Sequence, residues 1–238
     1  MTGASSGIGE ATALELAGLG ARVAIAARRV DRLEALAERI RFTGGDVLVI
    51  HADFANELEA NSSVWQTKEH FGRLDILINN AGVMLLGPIL NADTEDWRRM
   101  FDVNVMGLMY ATHAALPIMI EQGEGHIVNI SSVAGRFTGP PSAVYSATKF
   151  AVNAFSEGLR KQVSKKAIRV TVIEPGAVAT ELQSHITHEQ TRADIQDWIA
   201  GMEPLQSEDI AAAISYAVTQ HPRVNVNEIL IRPTQQDT

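Results

Sequence analysis

The sequence predicts an α/β fold, a single domain in which a doubly wound parallel sheet lies between two layers of helices. Three observations carry that prediction. Short β-branched runs alternate with segments of helical period from end to end, the pattern of parallel strands joined by crossover helices. A glycine-rich turn at Gly3, Gly7 and Gly9 runs directly into the first helical segment. Finally, 238 residues that are 46% apolar suffice for one sizeable core, and no repeat, low-complexity tract or linker divides them.

In chain order, Ala11, Leu14 and Gly18 share one face of a first helix that Gly20 can end. Residues 23–27 read as a buried strand. Asp31 with Glu34 marks a helix start, and that helix runs to the Gly44-Gly45 turn. A strand over 47–50 precedes a polar-faced helix over 58–71 that Gly72 closes. Residues 74–79 are a strand, followed by a loop through Gly87 and Pro88. A long helix spans 95–122, with Pro117 bending or ending it. A strand over 126–130, a helix over 142–163 and a strand over 170–173 follow. Weak periodicity from 176 to 206 predicts a loop with short helices, before a capped helix over 207–219 and a last strand over 228–231.

Composition removes several functions. Lys+Arg 20 against Asp+Glu 28 leaves a net charge of −8, which argues against nucleic acid as a partner. The absence of Cys removes disulfides, thiolate metal sites, iron–sulfur clusters and cysteine nucleophiles, and fits a cytoplasmic protein. Apolar runs such as 74–78 and 83–86 fall short of the ~20 residues of a membrane span, and no signal peptide is visible. His185 and His188 invite a metal reading, but no third ligand stands out, so no metal is expected.

Two motifs carry chemistry on their own residues. In Thr2-Gly3-Ala4-Ser5-Ser6-Gly7-Ile8-Gly9, glycines let the backbone turn tightly and let a pyrophosphate approach. The helix that follows offers free N–H groups and a partial positive charge. Taken alone, the cluster fits a plain strand-to-helix turn equally well. Tyr145 and Lys149 are four apart in a helical segment, so they share a face. A phenol near pKa ~10 is a poor base at neutral pH; an ammonium one turn away lowers that value and makes the pair a tunable acid/base.

Thr-Gly-x-x-x-Gly-Ile-Gly at the start, Asn79-Asn80-Ala81-Gly82, Tyr145-Ser-Ala-Thr-Lys149 and Pro175-Gly176 resemble, in order and spacing, the motifs of the short-chain dehydrogenase/reductase family. The resemblance covers essentially the whole chain and implies a Rossmann-type domain of 238 residues with a substrate lid at about 177–206. It implies hydride transfer between a nicotinamide cofactor and the carbonyl/alcohol carbon of a small or medium substrate. The catalytic set it implies is Asn104, Ser132, Tyr145 and Lys149. Ser132 is preferred to Ser131 because the family places its serine thirteen residues before the tyrosine. The expected cofactor contacts are Gly3, Ser5, Ser6, Gly7, Ile8, Gly9, Arg28, Arg29, Asp53, Asn79, Ala81, Gly82, Tyr145, Lys149, Pro175, Gly176 and Thr180. Ala27 stands where users of NAD usually carry an acid, and Arg28 follows it, which suits a 2′-phosphate and predicts NADP(H). Asp31 is read as a helix cap instead.

The resemblance further implies a homodimer or homotetramer through helices 95–122 and 142–163. It also exposes a departure, since family members carry a strand before the Thr-Gly motif and this sequence has only Met1. In the family order 3-2-1-4-5-6-7 that strand is central, and its loss leaves neighbours ~9–10 Å apart. A start upstream of Met1 is therefore expected. The rival functions are a 3-oxoacyl or 3-hydroxy-acid reductase of the same family and a non-catalytic dinucleotide-binding sensor.

Overall fold

Val23–Ala27 is apolar and wholly buried, and it pairs in parallel with Val47–His51 as strands β1 and β2. Ile76–Asn79 (β3), Gly125–Ile130 (β4), Ile168–Pro175 (β5) and Glu228–Ile231 (β6) form a second parallel ladder in that order. These strands belong to a computed structural model that describes residues 1–237. Runs this apolar suit a sheet covered on both faces. On one face, helices α1 (Gly7–Gly18), α2 (Val30–Phe42) and α8 (Ser207–Thr219) bury Leu16, Leu33, Ile40, Ile210 and Ile214. On the other, α3 (Glu57–Phe71), α5 (Leu108–Gln122) and α6 (Ala143–Val163) bury Val64, Ala111, Ile118, Met119 and Leu159. The domain is thus the doubly wound, Rossmann-type sandwich that the sequence predicts.

Between β1 and β3 the ladder is interrupted. Residues 1–2 stitch the gap at one end: Met1 N donates to Ala24 O (2.8 Å), Ala26 N to Met1 O (3.0 Å), and Thr2 N to Ile78 O (3.0 Å). Beyond the stitch lies a cavity of about 310 Å³ lined by Val23, Ala24, Ile76 and Leu77 from the two strands and by Thr67 and Phe71 of α3. Among the described residues no strand fills this gap, and Met1 and Thr2 satisfy backbone groups there that the core would otherwise orphan.

Several expectations change at element ends. Helix α2 begins at Val30, and Asp31 lies in its first turn without capping it; its acid complements the helix dipole there instead. Strand β3 starts at Ile76 because Gln122 takes both backbone groups of Leu74, with Leu74 N to Oε1 at 2.8 Å and Nε2 to Leu74 O at 2.9 Å. The long helix is three pieces: α4 (Thr94–Phe101), a π-helical segment (Asp102–Gly107) and α5, which runs on past Pro117 to a left-handed Gly123. By length and composition the stretch Thr94–Gln122 is apolar enough to cross a membrane, contrary to the reading of shorter runs, yet 56% of its apolar window is buried inside the domain. The weakly periodic region holds a 3₁₀ turn (Glu181–His185) and α7 (Glu189–Ala200), whose start His188 caps by accepting from Thr191 N.

Candidate active site

The glycine-rich turn is held by contacts that leave no room for side chains. Gly3 has φ +65°, and a Cβ there would lie 2.8 Å from Ala81 Cα; at Gly9 a Cβ would lie 2.3 Å from Gly3 O. Asn80 clamps the turn from outside, its Nδ2 donating to Thr2 O (3.0 Å) and Gly3 O (3.1 Å), while Asn80 N and Ala81 N donate to Thr2 Oγ1. Ser6 stands at the N-cap of α1 without capping it, because its hydroxyl accepts from Arg29 Nη2 (2.7 Å). The positive end of α1 therefore opens into a cavity of about 600 Å³ lined by Ser5, Ser6, Gly7 and Ile8.

Cationic side chains stand at that end of the cavity. Arg29 reaches over the turn, its Nε and Nη2 donating to Ser5 Oγ at 3.1 and 3.0 Å, and its Nη1 to Glu181 Oε2 at 2.8 Å. Arg28 is more exposed and lies 3.9 Å from Asp53. Backbone N–H groups, two hydroxyls and two guanidiniums make a donor set that fits a dinucleotide bearing an extra phosphate.

The opposite end is built from buried side chains. Ser132 follows β4, its Oγ accepting from Ala134 N (3.1 Å) and donating to Pro175 O (3.3 Å), and its hydroxyl lies in the same cavity as the Tyr145 phenol. Its neighbour Ser131 instead donates to Lys149 O (3.3 Å), so the two serines are told apart by their partners. Burial pushes the Tyr145 hydroxyl up to about 12 despite the opposing effect of Ser132. The expectation that Lys149 would lower it is not met in this arrangement. Lys149 Nζ donates to Ile130 O (2.9 Å) and lies 5.6 Å from the centre of the tyrosine ring, so dehydration outweighs the distant ammonium. The same burial brings Lys149 down to about 8.

Asn104 sits in the π-helical segment and grips the strand-end loop: Val83 N donates to its Oδ1 (2.8 Å), and its Nδ2 donates to Val83 O (2.9 Å) and Thr148 Oγ1 (3.1 Å). It lies behind the cavity wall, as do Asn79 and Gly9, whereas the other expected contacts line the cavity: Gly3, Arg28, Arg29, Asp53, Ala81, Gly82, Tyr145, Lys149, Pro175, Gly176 and Thr180. Asn79 instead donates to Thr112 Oγ1 and Asn129 Oδ1 inside the core. Sequence reasoning missed Asn80 as the clamp of the turn, Phe137 as a cavity wall, and Gln236, whose Oε1 accepts from Ala177 N (2.9 Å); Met84, in a segment read as apolar and substrate-facing, also lines the cavity. Only Asn80 carried a signal, its place within the Asn-Asn-Ala-Gly motif. Ile195, Trp198 and Ile199 of α7 close the cavity's outer side.

Comparison with known proteins gives this geometry its setting. A family model described as short chain dehydrogenase matches residues 1–191. An uncharacterized oxidoreductase of Staphylococcus saprophyticus is 41% identical over 239 residues, covering 99% of this chain and 95% of its own. The closed form of a serine dehydrogenase complexed with NADP+ superposes with a TM-score of 0.92 at 33% identity, covering 100% of this chain and 95% of that one. A short-chain dehydrogenase/reductase from Burkholderia phymatum in complex with NAD gives 0.88 at 28% identity, over 97% and 86% of the two chains. Motif order, a doubly wound sheet and a matching family model over most of its length agree, and the chain belongs to the short-chain dehydrogenase family of oxidoreductases.

Proposed function

We propose that this chain is an NADP(H)-dependent oxidoreductase acting on the carbonyl/alcohol carbon of a small or medium substrate, with Tyr145 as the acid/base. The observation that carries the reading is that Ser132, Tyr145 and Lys149 line the same cavity as the glycine turn and the two arginines. A nicotinamide dinucleotide held there supplies or accepts the hydride. Arg28 and Arg29 would hold its 2′-phosphate, and the free N–H groups at the start of α1 would hold its pyrophosphate.

The chain's own groups handle the oxygen and its proton. Ser132 Oγ donates a hydrogen bond to the substrate oxygen and fixes it beside the phenol. With its hydroxyl held near 12, Tyr145 is protonated at neutral pH and ready to donate to that oxygen in the reductive direction. Lys149, its Nζ held on Ile130 O beside the Tyr145 ring, would reach the ribose of a bound dinucleotide, and the Val83 loop that Asn104 grips walls the substrate from behind. Met84, Leu86, Phe137 and Trp198 give that end an apolar lining, which suits a moderately apolar substrate.

A second reading has a specific observation in its favour. The likeness to a serine dehydrogenase at a TM-score of 0.92 supports a 3-hydroxy-acid as the alcohol partner. The segments 26–30, 83–88, 185–188 and 231–234 meanwhile resemble clavaldehyde reductase in sequence, a likeness that does not fix the substrate. Homo-oligomerisation through α4–α5 and α6 is part of the proposal, supported by the exposed Phe101, Ile120 and Phe150 on those helices.

The test is a fluorescence titration with NADPH and NADH in parallel, followed by turnover on a panel of aldehydes, ketones and 3-hydroxy-acids. NADPH should bind at least tenfold more tightly, and consumption of one panel class should follow. Equal binding removes the phosphate reading, and binding without turnover on any class supports a sensor instead.

A further inference from the structure

The arginine that receives the phosphate already holds an anion. Glu181 Oε2 accepts from Arg29 Nη1 at 2.8 Å, and its Oε1 accepts from Arg32 Nη1 at 2.6 Å. The same Arg29 guanidinium is aimed by Ser5 and Ser6 of the glycine turn, and Glu181 lines the cavity alongside Arg28 and Arg29. A carboxylate seated between two guanidiniums, with hydroxyls beside one of them, occupies the environment that a phosphate monoester would take. The two guanidiniums hold the Glu181 carboxyl down at about 2, so it stays ionised at any working pH.

Glu181 comes from far along the chain, directly after Thr180, and opens the 3₁₀ turn that begins the lid. Its side chain thus ties the lid to the cofactor's adenosine end. A second anion brought to the same guanidinium is repelled by the Glu181 carboxylate, so the two compete for Arg29.

We propose that Glu181 is a latch, an internal anion that occupies the 2′-phosphate position on Arg29 and must be displaced when a 2′-phosphorylated dinucleotide binds. The proposal rests on the reading of Arg28 and Arg29 given above and adds the residue that competes with the ligand. Because a dinucleotide lacking the 2′-phosphate leaves the latch fastened, lid release follows the identity of the cofactor as well as its presence. Arg32, whose Nη1 holds the other carboxylate oxygen, keeps the displaced side chain near the lid.

Glu181→Gln removes the competing charge at a half-exposed site, and Glu10→Gln removes an equal charge from a neighbouring carboxylate paired with Arg39. Dissociation constants are measured for wild type and both variants with NADPH, NADH and adenosine 2′-monophosphate. Glu181→Gln should tighten NADPH and adenosine 2′-monophosphate about three- to tenfold and leave NADH within twofold, while Glu10→Gln changes none of them by more than twofold. Equal tightening by both variants makes the effect general electrostatics and overturns the latch. So does an unchanged or weaker NADPH affinity in Glu181→Gln when the wild type still prefers NADPH. A wild type that binds NADH as well as NADPH removes the phosphate reading beneath it, and the latch falls with it.

Discussion

The two ends of the cavity are built on opposite plans. At the tyrosine end, Asn104, Tyr145 and Lys149 are 2%, 7% and 6% exposed, with Asn104 fixed by hydrogen bonds to Val83 and Thr148 and Lys149 by one to Ile130 O. At the arginine end, the side chains of Arg28, Arg29, Arg32 and Glu181 are 53%, 37%, 44% and 43% exposed and held by ion pairs. Buried groups with fixed partners keep the reacting atoms in register and strengthen every local charge. Exposed ion pairs are worth little individually and exchange partners readily. One end is suited to chemistry and the other to choosing what is admitted.

If the two ends are separable, substitutions should divide cleanly between them. The largest effect is expected for Tyr145→Phe, with turnover falling about 10²- to 10⁴-fold while NADPH affinity stays within twofold by titration. A parallel loss of affinity would break the division. Arg29→Ala should raise the NADPH dissociation constant roughly 10- to 100-fold, since a hydrogen bond to a charged group is worth about 1.5–3 kcal/mol, and leave NADH nearly unchanged. Arg28→Ala should move in the same direction by less, because Arg28 is the more exposed of the two and its ion pair with Asp53 is longer, at 3.9 Å.

The smallest effect concerns stability at the buried end. Lys149 is brought from 10.5 to about 8 by burial, so between those values the unfolded chain binds the proton that the folded chain has released. Stability from this group therefore rises with pH through that window. Unfolding midpoints from pH 8 to 10 should rise in wild type relative to Lys149→Met by a few degrees, at about 2–4 °C per kcal/mol. Tyr145 works in the opposite sense only above pH 10. A flat difference between the two proteins would mean that Lys149 is hydrated.

What was legible in the sequence was local. Tyr145 and Lys149 announced themselves because one helical turn joins them, and the glycine turn because backbone conformation restricts its residue types. Helix and strand order followed from periodicity alone. The misses come from contacts across long separations. Nothing near Leu74 reveals that Gln122, 48 residues on, takes its hydrogen bonds and shortens β3. Nothing near Arg29 shows that Glu181, 152 residues away, holds it. Asp31 failed as a cap for a simpler reason: the helix starts two residues earlier than its capping pattern suggested, with Arg29 at the cap position. The direction of the Tyr145 shift was missed because spacing shows that an ammonium is near but says nothing of how far water is excluded.

The π-helical segment sets a limit on how this protein can be improved. A widened turn at Asp102–Gly107 means that one residue more than an α-helix would use lies between Phe101 and Leu108. Deleting a single residue there would restore regular i to i+4 bonding and a longer, better-formed helix. It would also close the widened turn that carries Asn104 and pull its side chain off Val83. Engineering that straightens this helix for heat resistance should therefore yield a sturdier protein with a collapsed substrate wall. The irregular turn is a bend that an optimiser of secondary structure would remove first, and it is the one to leave alone.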